Sequence, residues 1–106
     1  MTEEIKTTPS EQEARVRALV EEYLERYVGM VDDFVFRMQV STPEVRDHVV
    51  RIGTSILCTR AGIGYPGGSF AKAVVDNDLM GAFGRADNIN LVCIRFYCSL
   101  LYNVGV

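Results

Sequence analysis

Large apolar residues recur every three or four positions through the first part of the chain. They are Val16, Val20, Tyr23, Tyr27, Met30, Phe34 and Met38. This spacing follows one face of an α-helix for about six turns. Thr8, Pro9 and Glu11 come before this row, in the order of an N-cap residue, a proline at the first helical position and an acid at the third. The pattern therefore predicts a long N-terminal helix that begins at about residue 9.

Further apolar residues widen this helix face, namely Leu19, Leu24, Val28, Val31 and Val35. A long helix in a small domain cannot cover so broad a face alone, so we expect it to pack on the rest of the chain and on a second copy. The prediction is a homo-oligomer. The alternative is a break near Gly29 into two ordinary core helices, because glycine costs about 1 kcal/mol in a helix interior.

A second helix is predicted over about residues 43–60. Thr42 and Pro43 repeat the cap-and-proline signal, and apolar residues then follow at helical spacing up to Gly62. His48, the one histidine of the chain, falls on this helix beside apolar positions. We interpret it as a core-edge or surface residue rather than a catalyst.

Three polar positions predict the starts of the remaining helices. Ser69 is a candidate cap for a helix over residues 70–75, and residues 76–78 are candidate caps for a short segment that follows. Asp87 is a candidate cap for a last helix that runs to about Tyr102. The sequence thus predicts an all-α fold of four to five helices, with residues 1–8 as a disordered tail and residues 9–106 as a single helical domain.

The last helix is apolar on most of its sides. One row holds Ile89, Val92, Phe96 and Leu100, and the next holds Cys93, Tyr97 and Leu101. A helix of this kind is either central to the fold or part of an interface.

Composition excludes several classes of protein. The chain has 106 residues, of which 48% are hydrophobic and 24% charged, which suits one ordinary globular domain. Its net charge of −3 and its lack of a basic run argue against binding to bulk nucleic acid. Residues 1–40 carry a net charge of −4 and residues 41–106 a net charge of +1, so the C-terminal part allows a small anionic ligand.

Three cysteines, Cys58, Cys93 and Cys98, cannot all pair within one chain, which favours a reducing cytoplasm. With a single histidine there are too few ligands for a structural zinc site, and we expect no metal and no cofactor. The polar first ten residues do not resemble a secretory signal, and the apolar stretch over residues 91–106 contains Arg95. We therefore expect no membrane span.

A glycine-rich stretch, residues 61–69, is the candidate for chemistry. Its letters from Gly62 to Gly67 match the dinucleotide fingerprint G-x-G-x-x-G, but a helix is predicted before it where that motif needs a strand. It also approaches a P-loop, yet Gly68 stands where the lysine of that motif belongs. Both nucleotide-binding motifs are therefore disfavoured.

A glycine-rich turn before a helix N-terminus can still bind an anion through its backbone N–H groups. Arg60, Lys72 and Arg85 flank the turn and could add positive charge. The candidate ligand-binding residues are Arg60, Gly64, Tyr65, Gly67, Gly68, Ser69, Phe70, Lys72 and Arg85. The alternative is a tight turn between helices that needs glycine for its backbone conformation.

Acids and glycine at Asp76, Asp78, Gly81 and Asp87 also approach the spacing of a calcium loop. Met80 occupies a position where that loop needs an oxygen ligand, so two successive helix caps explain the acids more simply. No serine or cysteine nucleophile pairs with a general base in the sequence pattern, and we expect a protein that is not an enzyme.

The C-terminal part resembles a group of short phage and prophage proteins. The resemblance rests on residues 64–70 (GYPGGSF), on Ala73, Val74 and Val75, on residues 77–79 (NDL), on Ala82, on residues 85–87 (RAD) and on Asn90, and it covers about residues 62–103. Small phage proteins include oligomers that sequester the nucleotide signals of host immunity. The resemblance implies such an anti-defence role in the host cytoplasm.

Two functions follow as hypotheses. The first is a non-enzymatic homo-oligomer that binds a phosphate-bearing small molecule, such as a cyclic nucleotide, at the glycine-rich turn. The second is a helical protein–protein interaction module, an inhibitor or phage accessory protein, in which the acidic N-terminal helix binds a partner and no small molecule is involved.

Overall fold

The computed structural model describes residues 9–106, which form six α-helices and no strand. These are α1 (Pro9–Met30), α2 (Phe34–Gln39), α3 (Pro43–Ala61), α4 (Ser69–Val75), α5 (Leu79–Arg85) and α6 (Asn88–Asn103). The predicted all-α class is confirmed, with one helix more than expected. The predicted cap Thr8 and the predicted disordered tail, residues 1–8, lie outside the described residues.

The prediction of one continuous N-terminal helix is wrong, because the chain breaks between Met30 and Phe34. Asp33 has an extended backbone, and its side chain accepts a hydrogen bond from the Phe36 N–H at 3.0 Å. This cap starts a new helix. The alternative, a break near Gly29 into two core helices, is right only in part, because Gly29 is still helical and the interruption falls at residues 31–33. The second segment, α2, is 6 residues long, and Phe36 is its buried residue.

The break changes which apolar residues are buried. Val16, Val20, Tyr23 and Tyr27 are buried as the helical spacing predicts. After the break, the predicted row is exposed at Phe34 and Met38, and Phe36 and Val40 are buried in their place. The interruption shifts the helical register, so the two segments turn different residues toward the core.

The later helices begin and end close to the predicted positions. Gly62 ends α3 in the left-handed region with φ of 72°, a conformation that glycine adopts readily. Asp78 and Asp87 cap α5 and α6 as predicted, and each side chain accepts a backbone N–H from three residues on. The prediction that Ser69 caps α4 is wrong, because Gly68 is the N-cap residue and Ser69 is already helical.

Helix α6 is the central element of the fold and packs against α1, α2, α3 and α4. Cys93, Phe96, Tyr97 and Leu100 are fully buried on it, which confirms the two predicted apolar rows. Rings from α1, α2 and α6 meet there, with the centroid of Phe96 5.2 Å from Tyr27 and 5.6 Å from Phe36. Burying these aromatic rings stabilises the packing of α1 and α2 on α6.

Polar contacts join α1 to α3 at the surface. Arg17 donates to the Asp47 carboxylate at 2.7 Å, and Arg46 pairs with Glu25.

Among residues 9–106, no helix combines the length and the hydropathy that a bilayer span requires.

Candidate functional site

The predicted ligand-binding segment connects α3 to α4 and is held at both ends by backbone contacts. The Ile63 N–H donates to the Cys58 carbonyl at 2.9 Å, and the Gly67 N–H donates to the Thr59 hydroxyl at 2.8 Å. Gly64 has a φ of 66°, and Tyr65 is 97% exposed. The segment is thus a turn fixed on α3, with its tip in solvent.

Close packing explains the glycine at position 67. A Cβ atom there would lie 2.8 Å from the Cβ of Ala71 and would also collide with the side chain of Ser55. Phe70 is buried, and its ring lies 5.8 Å from that of Tyr97. Gly68 is different, because nothing lies within 4 Å of a Cβ atom built on it.

The three predicted basic residues do not have equal roles. The Arg60 guanidinium donates to the carbonyl oxygens of Leu101 and Val104, at 2.6 and 2.7 Å, and so binds the C-terminal end of α6. Arg85 lies on α5 with its nitrogen 4.0 Å from the Asp78 carboxylate. Lys72 is exposed on α4 and has no ion-pair partner among the described residues. Of the three, Lys72 is the base that other contacts leave free for a ligand.

The acids that resemble a calcium loop serve as helix caps. Asp78 and Asp87 each accept a backbone N–H, as described above, and Asp76 ends α4. Within the part of the chain that the structure describes, no three His, Cys, Asp or Glu side chains are grouped to hold a metal ion.

His48 is half-buried, with its Nε2 3.5 Å from an Asp87 oxygen, which places it at the edge of the core.

An open groove of about 450 Å³ lies between α1 and α6. Its lining consists of Tyr23, Arg26, Tyr27, Met30, Val31, Arg95, Ser99 and Asn103. Arg95, Ser99 and Asn103 follow one another at intervals of four residues, so they form one polar row along α6. None of the nine predicted ligand-binding residues lines this groove.

A hydrogen-bond network fixes the α1–α6 groove at the Asn103 end. The hydroxyls of Tyr23 and Ser99 lie 2.5 Å apart. The Asn103 amide nitrogen donates to the Ser99 carbonyl at 2.9 Å and to the Tyr23 hydroxyl at 3.2 Å. These bonds hold the two helices in register and order the polar wall before any ligand arrives.

Tyr27 also lines the groove, but it takes no part in this network. It is 3% exposed, and its hydroxyl has no hydrogen-bond partner among the described residues. Burial raises the pKa of Tyr27, and the positive charge of Arg95 acts in the opposite direction. The side chain is therefore a neutral phenol near pH 7, able to donate a hydrogen bond.

The groove was not predicted from the sequence, although a signal was present. Arg95, Ser99 and Asn103 interrupt an otherwise apolar helix at a spacing of four residues. Such a polar row marks one side of a helix that faces water or a ligand rather than the core. The partner residues on α1 could not be assigned to it, because the packing of α1 on α6 is a tertiary property.

Two apolar surfaces are exposed, and the first shares Met30 with the lining of the groove. We name the first the α2 face; it consists of Met30, Phe34, Val35 and Met38, which are 66, 68, 55 and 57% exposed. The second, the α5 face, consists of Leu79, Met80 and Phe83. Exposed apolar patches of this kind are typical of surfaces that bind other proteins.

No protein-family model matches the chain, and comparisons with curated proteins and with solved structures likewise found no match. The geometry of the chain itself is therefore the basis on which a function is assigned.

Proposed function

We propose that this protein is a non-enzymatic, helical protein–protein interaction module that docks through the α2 face, with a second copy of the chain as its first partner. The observation that carries this proposal is the exposure of four large apolar side chains within nine positions of the sequence. Leaving so much apolar surface in water is unfavourable, and a protein partner that covers it removes that cost.

The local structure suits the α2 face to docking. Asp33 caps α2, and Phe36 anchors it in the aromatic core, so the helix is fixed while its outer side is bare. Phe34 and Met38 are four residues apart and lie on the same side of α2. Methionine side chains adapt their shape to a partner surface, which favours Met30 and Met38 as contact residues.

The ionisable groups of the core support a binding role over a catalytic one. Burial raises the pKa of the Cys93 thiol to about 12, and burial also raises the pKa of Tyr97. Both groups stay protonated near pH 7, and a protonated thiol is a poor nucleophile. Tyr97 instead donates to the buried Asn90 side chain at 2.8 Å, which is a structural contact.

Sedimentation measurements over a range of protein concentrations test the docking proposal. The wild-type chain should show a mass that rises with concentration toward a dimer. Phe34→Glu together with Met38→Glu should leave a monomer with unchanged helical circular dichroism, because both side chains are exposed. Met80→Glu on the α5 face is the matched control and should still associate, since Met80 is 86% exposed but outside the α2 face. A wild-type chain that stays monomeric at every concentration would contradict the proposal.

A second candidate function is binding of a phosphate-bearing small molecule at the turn over residues 62–70. Exposed Lys72 without an ion partner is the observation in its favour. A thermal-shift panel of nucleotides should then show saturable stabilisation that Lys72→Gln or Gly68→Asp weakens. If no nucleotide raises the melting temperature, this function is excluded. Phage origin stays a prediction that rests on the sequence resemblance, and an anti-defence role in the host cytoplasm stays one that depends on this candidate.

A further inference from the structure

We propose that the α1–α6 groove is a binding site for a phosphorylated small molecule, whose oxyanion lies between Arg26 and Arg95. This site is distinct from the turn over residues 62–70. It shares Met30 with the α2 face, but its two arginines lie outside that face.

Arginine pairing in the rest of the molecule makes the groove stand out. The chain has nine arginines, all within the described residues. Six of them contact a carboxylate or a carbonyl oxygen, namely Arg17, Arg37, Arg46, Arg51, Arg60 and Arg85. Arg15, Arg26 and Arg95 have no such partner among residues 9–106. Two of these three line the same groove.

Guanidinium groups without a partner favour an oxyanion. A guanidinium offers planar pairs of N–H donors that match phosphate oxygens, and such charge-assisted hydrogen bonds are stronger than neutral ones. Arg26 is also oriented, because its guanidinium carbon lies 5.7 Å from the centre of the Tyr23 ring. Arg26 on α1 and Arg95 on α6 both line the groove, so each helix contributes one guanidinium to it.

The neutral groups of the groove add donors beside the two charges. The Tyr27 hydroxyl is a buried donor without a partner among the described residues, and a phosphate oxygen that reaches it past the side chains covering it would supply an acceptor. Asp33, the acid whose charge reaches Tyr27, already accepts the Phe36 N–H as the cap of α2. One oxygen of its carboxylate is occupied by this cap, and the lining of the groove itself holds two arginines and no acid.

Met30 and Val31 add apolar side chains to the lining of the groove. A volume of about 450 Å³ is within the usual range of small-molecule pockets and exceeds the need of inorganic phosphate alone. The ligand class that fits both the arginines and the apolar side chains is a phosphate monoester with a small apolar or aromatic body. Inorganic phosphate is the minimal probe, and phenyl phosphate is the probe for the complete groove.

Nuclear magnetic resonance titration at constant ionic strength tests the site. Both probes should cause saturable shifts in the backbone amides of Tyr27, Arg95 and Ser99, and phenyl phosphate should bind more tightly than inorganic phosphate. Arg26→Gln or Arg95→Gln should each weaken binding about tenfold, the usual effect of losing one charge-assisted hydrogen bond. Tyr27→Phe should also weaken binding, while the unfolding midpoint in urea stays the same or rises.

Three comparisons complete the experiment. Arg15→Gln removes the same charge from the same helix outside the groove, and it should leave the affinity unchanged. Lys72→Gln should also leave it unchanged, and a loss confined to Lys72→Gln would assign the anion to the turn and overturn the groove site. Phe34→Glu with Met38→Glu should still bind phosphate, which separates this inference from the docking proposal. Absence of saturable shifts, or equal losses in Arg15→Gln and Arg95→Gln, would also overturn it.

Discussion

Gly67 shows how a single residue in the turn between α3 and α4 is fixed by packing. Its backbone N–H binds Thr59, and a side chain at this position would overlap Ser55 and Ala71. Gly68, next to it, faces open space and is the N-cap residue of α4. Two adjacent glycines of one motif therefore have different physical requirements.

Serine at each of these positions separates the two requirements. Gly67→Ser should lower the free energy of unfolding by about 1 to 3 kcal/mol, because it overpacks the contact between α3 and α4. Gly68→Ser should leave it unchanged or raise it by up to about 1 kcal/mol, because serine is a better N-cap than glycine. Urea unfolding of both variants measures the difference. Equal stability of the two variants would show that Gly67 is not closely packed.

Arg60 has a structural role that its position in the sequence does not reveal. Its position beside the glycine-rich turn suggested a ligand contact, but its guanidinium binds two carbonyl oxygens at the end of α6, 41 and 44 residues further along the chain. Cations stabilise helix C-termini because the carbonyl groups there carry partial negative charge. A base near a glycine-rich turn can thus serve the fold instead of a ligand.

At the scale of elements, the break between α1 and α2 has the largest consequence. It ends the helix before the apolar row is complete, so Phe34 and Met38 are exposed and Phe36 is buried. The Asp33 cap stabilises this arrangement by satisfying the Phe36 N–H. The α2 face therefore exists because one carboxylate restarts the helix in a different register.

Removing that cap should weaken α2 selectively. Asp33→Ala should reduce the free energy of unfolding by about 1 kcal/mol, the usual cost of losing an N-cap side chain. Asp32→Ala is the matched control, because Asp32 is fully exposed and its carboxylate lies 3.3 Å from the Arg37 guanidinium. Its effect on the free energy of unfolding should be small, as for exposed ion pairs. Thermal unfolding followed by circular dichroism compares the two. A larger loss for Asp32→Ala would contradict the role assigned to Asp33.

At the scale of the whole molecule, stability is concentrated around α6. This helix contacts four others and contributes Phe96, Tyr97 and Leu100 to the core without exposure. Helix α5 is the opposite case, because it packs chiefly on α4 and leaves Leu79, Met80 and Phe83 exposed. The centre of the molecule is therefore closely covered by other helices, and α5 lies at its edge.

Amide hydrogen exchange should reflect this difference. Amides in the middle of α6 should exchange most slowly, because they open only when the core unfolds, and amides of α5 should exchange much faster through local opening. Mass spectrometry of peptides from the two helices, recorded in one time course, checks the order. Protection of α5 equal to that of α6 would mean that the α5 face is covered in solution.

The helical class could be predicted from the sequence alone, as could most helix starts and the apolar rows of α1 and α6. Caps such as Asp78 and Asp87 act on a backbone group three residues away, and helical periodicity is equally local, so both can be recognised without the fold. Tertiary packing produces the α1–α6 groove, the exposure of the α2 face and the role of Arg60, so none of these could be predicted from the sequence. Each of these depends on residues far apart in the chain, such as Tyr23 with Ser99, 76 positions away, and packing between helices brings them together.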